Sequence, residues 1–147
     1  MRDTSGAIEL KIDKIMNGYV IDHIKAGYGM KVYKHLKLDE LTESVALIQN
    51  VKSGKRGTKD MIKIQGLINI NLEVLGYIDP NITVNAVENG EVTSRVRLEL
   101  PGRLTDVIKC RNPRCITSSE SGLKQEFTLT DRARETYRCV YCEQEDR

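Results

Sequence analysis

The 147-residue chain has no apolar run approaching the roughly 18 residues of a membrane-spanning helix, which excludes that class of membrane protein. Its opening residues, MRDTSGAIEL, lack the apolar core of a signal peptide, so a cytoplasmic chain with reduced thiols is expected. Histidine is scarce: there are two, neither near a cysteine in sequence. Charge of one sign is not in excess, with 23 Lys and Arg against 21 Asp and Glu. Tryptophan is absent, and no internal repeat or low-complexity tract is visible. What remains, 39% hydrophobic and 30% charged, is the composition of an ordinary globular protein.

No cysteine occurs before position 110; all four lie in the tail, at Cys110, Cys115, Cys139 and Cys142. The spacing is C-x4-C, a gap of 23 residues, then C-x2-C, which puts two close pairs on two separate turns. Close pairs of this kind suit four thiolates around Zn2+, with iron in the same four-sulfur geometry as the main alternative metal. Two disulfides are the competing arrangement, and they need an oxidising compartment. A site closed by four cysteines leaves no position for water or substrate, so the metal is expected to be structural. A tail of about 45 residues needs such a staple, because it buries too little apolar surface by itself.

The clearest seam is LELPGRL, where Pro101-Gly102 interrupts a strand-like run. Two domains are expected, 1–100 and 101–147. In the first, AIELKID alternates as a half-buried strand and VIDHI is a short extended piece after the Asn17-Gly18 turn. GMKVYKHLKL places Met30, Tyr33 and Leu36 at helical spacing, as a core-packing stripe. ESVALIQNV and DMIKIQGLI read as strands joined by the basic loop KSGKRGTKD. NLEVLGYI reads as a helix with Leu72, Leu75 and Ile78 on one side, stopped by Asp79-Pro80. ITVNAVE and VTSRVRLEL follow, joined by Asn89-Gly90 as a tight hairpin. This order predicts an α+β chain: a ferredoxin-like split βαβ domain with an antiparallel sheet covered on one face by two helices, then a small β-rich, zinc-ribbon-like domain.

Little in the sequence points to catalysis. Asp22-His23 is the only adjacent carboxylate and imidazole, and neighbours in a regular strand point to opposite faces. SGKRGTKD lacks the order of a phosphate-binding Walker loop and its following helix. A nucleic-acid-binding ribbon is the main rival function. Residues 101–147 carry nine Lys or Arg against eight Asp or Glu, and a zinc bound by four thiolates leaves the tail at about −1. That balance argues against a basic groove, and Arg132, Arg134 and Arg138 read as a solvated helix face paired with Asp131 and Glu135. A four-sulfur electron carrier is a third reading, against which Ile116 and Glu143 follow the ligand pairs where glycine is usual. His23, Lys59, Lys63 and Arg95 lie on or near predicted strands, where one sheet would let them converge on a polyphosphate.

The segments NGYVIDHI, KDMIKI and TVN, with the cysteine spacing and its ending CVYCE, occur in order along the whole chain. In this combination the chain resembles the regulatory subunits of aspartate carbamoyltransferase. The resemblance implies a non-catalytic chain whose first domain dimerises and binds nucleoside triphosphates, and whose zinc domain docks on the catalytic subunit in pyrimidine synthesis. It implies CTP and ATP as competing effectors, with UTP, and Mg2+, acting beside CTP. Residue by residue, it assigns Asp22 and Lys63 to the ribose and His23 and Arg95 to the phosphates. Ile12, Asp13, Ile15, Val20, Asn85, Val87, Gly90 and Val92 would surround the base and pocket mouth, with Lys59 and Met61 lining it. Asn112 and Glu143 match positions that contact the catalytic chain. The sequence departs from the pattern at Gly90, where Tyr can occur, at Arg95 for Lys, at Arg114 for Asn, and in a short deletion near Asn69–Asn71.

Overall fold

The computed structural model describes residues 15–54 and 57–146. The expected strand AIELKID, with Ile12 and Asp13, lies outside the described residues, as do Lys55 and Arg56 of the basic loop.

Five strands form one antiparallel sheet: β1 (Gly18–Lys25), β2 (Ser44–Lys52), β3 (Thr58–Gln65), β4 (Thr83–Glu88) and β5 (Glu91–Arg97), in the spatial order β2-β3-β1-β4-β5. Helices α1 (Gly29–His35) and α2 (Leu72–Ile78) fall between β1 and β2 and between β3 and β4. This is the split βαβ plan, with β5 added beside β4 by a hairpin. Asn89 and Gly90 both take positive φ, 53° and 81°, as a two-residue hairpin of this twist requires.

Strand alternation sets which face is core. Ile21, Ile62 and Ile64 are fully buried and Val84 nearly so, packed with Val32, Leu75 and Ile78 from the helices. Burial of each such side chain stabilises the fold by roughly 1.5–3 kcal/mol. Helix α2 begins where the Asn71 side chain accepts a hydrogen bond from the Val74 N–H at 3.2 Å. It ends at Asp79, whose φ of −163° leaves the helical region, directly before Pro80. Helix α1 has no such cap from its own N-cap residue. Instead the fully buried Asp60 carboxylate on β3 accepts from the N–H groups of Gly27, Gly29 and Asn50, at 3.1, 2.9 and 3.1 Å. One side chain thereby ties the start of α1 and the last part of β2 to β3.

Two helical stripes differ from expectation. On α1, Met30 is 44% exposed, and the inward residues are Gly29 and Val32, with Tyr33 and Leu36 at the margin. On α2, Leu72 is exposed at the first helical position, while Val74, Leu75, Tyr77 and Ile78 are buried. A helix of seven residues shows fewer than two full turns to the sheet, so a stripe counted from its first residue is easily rotated by one position.

Three further strands, β6 (Arg103–Thr105), β7 (Glu126–Asp131) and β8 (Thr136–Cys139), make a second antiparallel sheet, and one helical turn, α3 (Ile116–Ser119), follows Cys115. The segment holding Arg132 and Arg134 is the turn between β7 and β8, and Arg138 lies on β8, so the expected helix face is absent. Asp131 accepts from the Arg134 N–H, and Arg138 pairs with Glu145 at 2.8 Å instead of Glu135. The second sheet packs against α2. The Tyr77 and Tyr137 rings meet edge to face at 5.3 Å, the Tyr77 hydroxyl donates to Asp146 at 2.9 Å, and the Tyr137 hydroxyl donates to the Pro101 carbonyl at 2.6 Å. Gly76 lets the segment from Glu99 to Pro101 lie against α2, because a Cβ there would collide with the Glu99 carbonyl. Among the described residues no helix is long and apolar enough to cross a membrane.

Candidate nucleotide face and metal centre

The helices cover one face of the five-stranded sheet and leave the other free of helices, hereafter the open face, although Asn85 and Val87 on it are buried, at 8% and 5% exposure. Cross-strand register runs Ala46–Lys63–Val20–Asn85–Arg95 across all five strands. Two residues along, Ile48 pairs with Met61 on one side, and Asp22 pairs with Thr83 and Thr83 with Arg97 on the other. Two residues the other way, Gly18 pairs with Val87 and Val87 with Val92. Residues two apart on a strand share a face. Val20, Asp22, Met61, Lys63, Asn85, Val87 and Arg95 therefore stand on this open face. Arg95 Nε donates to the Asn85 side chain at 3.0 Å, and Lys59 Nζ pairs with Asp22 at 2.9 Å. Ile15 is buried before β1, and Gly90 lies in the hairpin turn, where its N–H donates to the Met16 carbonyl.

Regular alternation would send His23 to the helix side, but β1 carries a bulge between Ile21 and Ile24, with His23 at φ 59°. The bulge brings His23 to the edge of the open face, where its Nδ1 lies 2.9 Å from Thr83 Oγ1. Regular alternation thus fails at this point of β1, yet the His23 ring meets Thr83 while the Asp22 carboxylate meets Lys59 and the His23 backbone. Asp22 accepts from the His23 N–H at 2.7 Å. Burial raises the Asp22 carboxyl, but the Lys59 ammonium and the His23 N–H outweigh it and hold the group below its ordinary value. A groove lined by His23, Asn81, Thr83 and Arg97 continues past the end of the sheet. Arg97 was not singled out from the sequence, although its position two residues after Arg95 on an alternating strand was the available signal.

In the second sheet the four cysteine sulfurs converge within 4.8 Å of one another. Two of the separations are 3.6 Å, Cys110 to Cys142, and 3.7 Å, Cys115 to Cys139. A tetrahedron with metal–sulfur bonds of about 2.3 Å has edges of about 3.8 Å, so the donor set fits a four-thiolate zinc. All four cysteines are free thiols and no disulfide links them. Burial pushes Cys110 up to about 12 and also raises Cys139. The Thr117 hydroxyl lowers Cys115, and the Asn112 side chain and the Gln144 N–H bring Cys142 down to about 7. Both expected partner-contact residues sit at this centre. Asn112 Oδ1 accepts from the Arg114 N–H at 3.0 Å, and Glu143, exposed at φ 64°, donates its N–H to the Cys139 carbonyl at 2.8 Å.

A sheet face that carries several cations and, apart from it, a closed four-cysteine centre give the chain two candidate sites, one for an anionic ligand and one for a metal. The family model for the allosteric domain of the aspartate carbamoyltransferase regulatory chain matches residues 10–99, and that for its metal binding domain matches residues 102–146. Aspartate carbamoyltransferase regulatory chains from Clostridium botulinum (strain Hall) and Clostridium tetani are 50% and 48% identical over 135 and 136 residues. These alignments cover 92% of this chain and 92% and 94% of the relatives. The Bifidobacterium longum regulatory chain is 41% identical over 136 residues, 98% of its length. The chain belongs to the family of aspartate carbamoyltransferase regulatory chains; it is a regulatory chain and not a catalytic one.

Proposed function

We propose that residues 1–100 bind CTP and ATP, and UTP with Mg2+, competitively on the open sheet face, and that residues 101–147 hold one structural zinc and dock on the catalytic subunit. The observation that carries this reading is the set of cations that β3 and β5 bring to one helix-free face: Lys59, Lys63, Arg95 and Arg97, with His23 of β1 at its edge. A triphosphate is the ligand such a set suits, because charge-assisted hydrogen bonds from several strands require a ligand with several anionic oxygens. Asp22 and Lys63 would take the ribose, His23 and Arg95 the phosphates, and the apolar end around Ile15, Val20, Val87, Gly90 and Val92 the base. Nucleotide phosphate would then compete with Asp22 for Lys59.

Self-association has physical support in β2, a nine-residue strand with half-buried Val45, Leu47 and Ile48 that stands at the sheet edge among the described residues. Docking on the catalytic subunit, in the cytoplasm, would use Asn112 and Glu143 beside the metal, which fixes the turns that carry them. Antagonistic effectors at one site regulate only by differing in their preference for two quaternary states. The test is to mix the zinc-loaded chain with its cognate catalytic subunit and measure mass and aspartate saturation with and without CTP or ATP. A larger complex whose saturation curve shifts with nucleotide is expected. Failure to assemble would remove the docking role, and assembly without any nucleotide effect would remove the sensing role.

A further inference from the structure

The metal centre places unequal demands on its four ligands. Cys142 is partly exposed, so water can solvate its sulfur, whereas Cys115 is 2% exposed and Cys139 1%. Four thiolates on one Zn2+ leave a net −2, and a buried thiolate requires an internal donor to spread that charge. Cys139 and Cys142 receive theirs from the backbone of the 139–144 turn, with the Asn112 amide on Cys142 as well. Cys115 has the Thr117 N–H and, in addition, a hydroxyl donor. After it come three hydroxyl residues in succession, Thr117, Ser118 and Ser119. Ser118 and Ser119 are exposed and donate to the backbone carbonyls of Asn112 and Ile116, at 2.9 and 3.2 Å. Thr117 alone is buried, at 8% exposure, and its Oγ1 lies 3.1 Å from Cys115 Sγ. A buried hydroxyl spent on sulfur, when neighbouring hydroxyls spend theirs on carbonyls, is a placement that a bare packing role does not call for.

We propose that Thr117 is a positioning residue for the metal, whose hydroxyl donates to the Cys115 thiolate, fixes that sulfur's orientation and strengthens zinc binding. The inference rests on the zinc reading of the four-cysteine site. The donor is held by helical turn α3, for which Cys115 is the N-cap residue, so ligand and donor move as one unit.

The test uses the full chain, with Thr117→Val, which keeps the branched shape and removes the donor, and Thr117→Ser, which keeps the donor and removes a methyl group. Zinc affinity is read by competition with a chromogenic chelator, and the sulfur-to-metal charge-transfer band is read after cobalt substitution. Thr117→Val is expected to weaken zinc binding roughly tenfold or more and to shift the cobalt band to lower energy, with Thr117→Ser close to wild type in both. Unchanged affinity in Thr117→Val, or weakened affinity with an unshifted band, would overturn the proposal, the latter by showing a packing role. If Thr117→Val does not fold, Thr117→Ser still decides, because a tenfold loss with the donor retained also contradicts it. The wild-type titration is read separately: absence of tight zinc binding there would remove the zinc reading itself.

Discussion

Removing the metal should unfold one sheet and spare the other. A segment of about 45 residues at ordinary stability per residue supplies about 2–7 kcal/mol. Zinc binding to small four-ligand sites contributes an apparent ~10–16 kcal/mol, which exceeds that figure on any estimate. Three of the four ligands, Cys110, Cys115 and Cys139, are also buried members of the core around Leu104, Phe127 and Tyr137. Without metal, uncoordinated thiols remain in that core, two of them, Cys110 and Cys139, disfavoured as thiolates by burial, and the short strands β6 and β8 have little else to hold them. The five-stranded sheet draws its stability from Ile21, Ile62, Ile64 and Leu75, which belong to its own strands and to α2. Hydrogen exchange before and after chelation, or in Cys139→Ser, reads both sheets at once. Loss of amide protection at Leu129, Tyr137 and Cys139, with protection kept at Ile21, Ile62 and Ile64, is expected. Equal protection of β7 and β8 in the chelated chain would refute the staple.

Further outcomes follow from single side chains. Lys63→Ala should weaken CTP and ATP binding alike, roughly tenfold or more, since hydrogen bonds to charged groups contribute about 1.5–3 kcal/mol; affinity equal to wild type would take Lys63 out of the site. Asp60→Asn should cost about 2–4 kcal/mol in urea unfolding, because an amide presents N–H groups where three backbone donors converge, and an unchanged midpoint would contradict that role. Burial, with Lys31 second, holds His35 below its ordinary 6.5. The folded chain therefore binds this proton less readily than the unfolded one, and the stability involved is full above 6.5 and falls with pH below it. His35→Gln should flatten the stability curve between about pH 7 and 5, and a curve of unchanged slope would refute the assignment.

Strand periodicity, the Asn89-Gly90 turn and the Asp79-Pro80 stop were legible in the sequence because each is a local signal with a local cause. The cysteine cluster was legible for the same reason, since chemistry limits what four close thiols can hold. What could not be read locally depended on partners distant in sequence. The bulge that turns His23 toward Thr83 has no marker in VIDHI, and the cross-strand row that puts Thr83 between Asp22 and Arg97 exists only once register is set. Arg134 lies three residues after Asp131 and four before Arg138, spacings that suit a helix face, yet the pairing of β7 with β8 claims Arg132 and Arg134 for a turn. The role of Thr117 was likewise hidden, because a buried hydroxyl among three looks the same in sequence as its exposed neighbours.

The most direct test of the account is a calorimetric titration of the zinc-loaded chain with CTP, followed by ATP in competition. Saturable binding of both nucleotides at one site, lost together in Lys63→Ala, is predicted. No binding of either by a folded, zinc-replete protein would contradict the claim that the open sheet face is a nucleotide sensor.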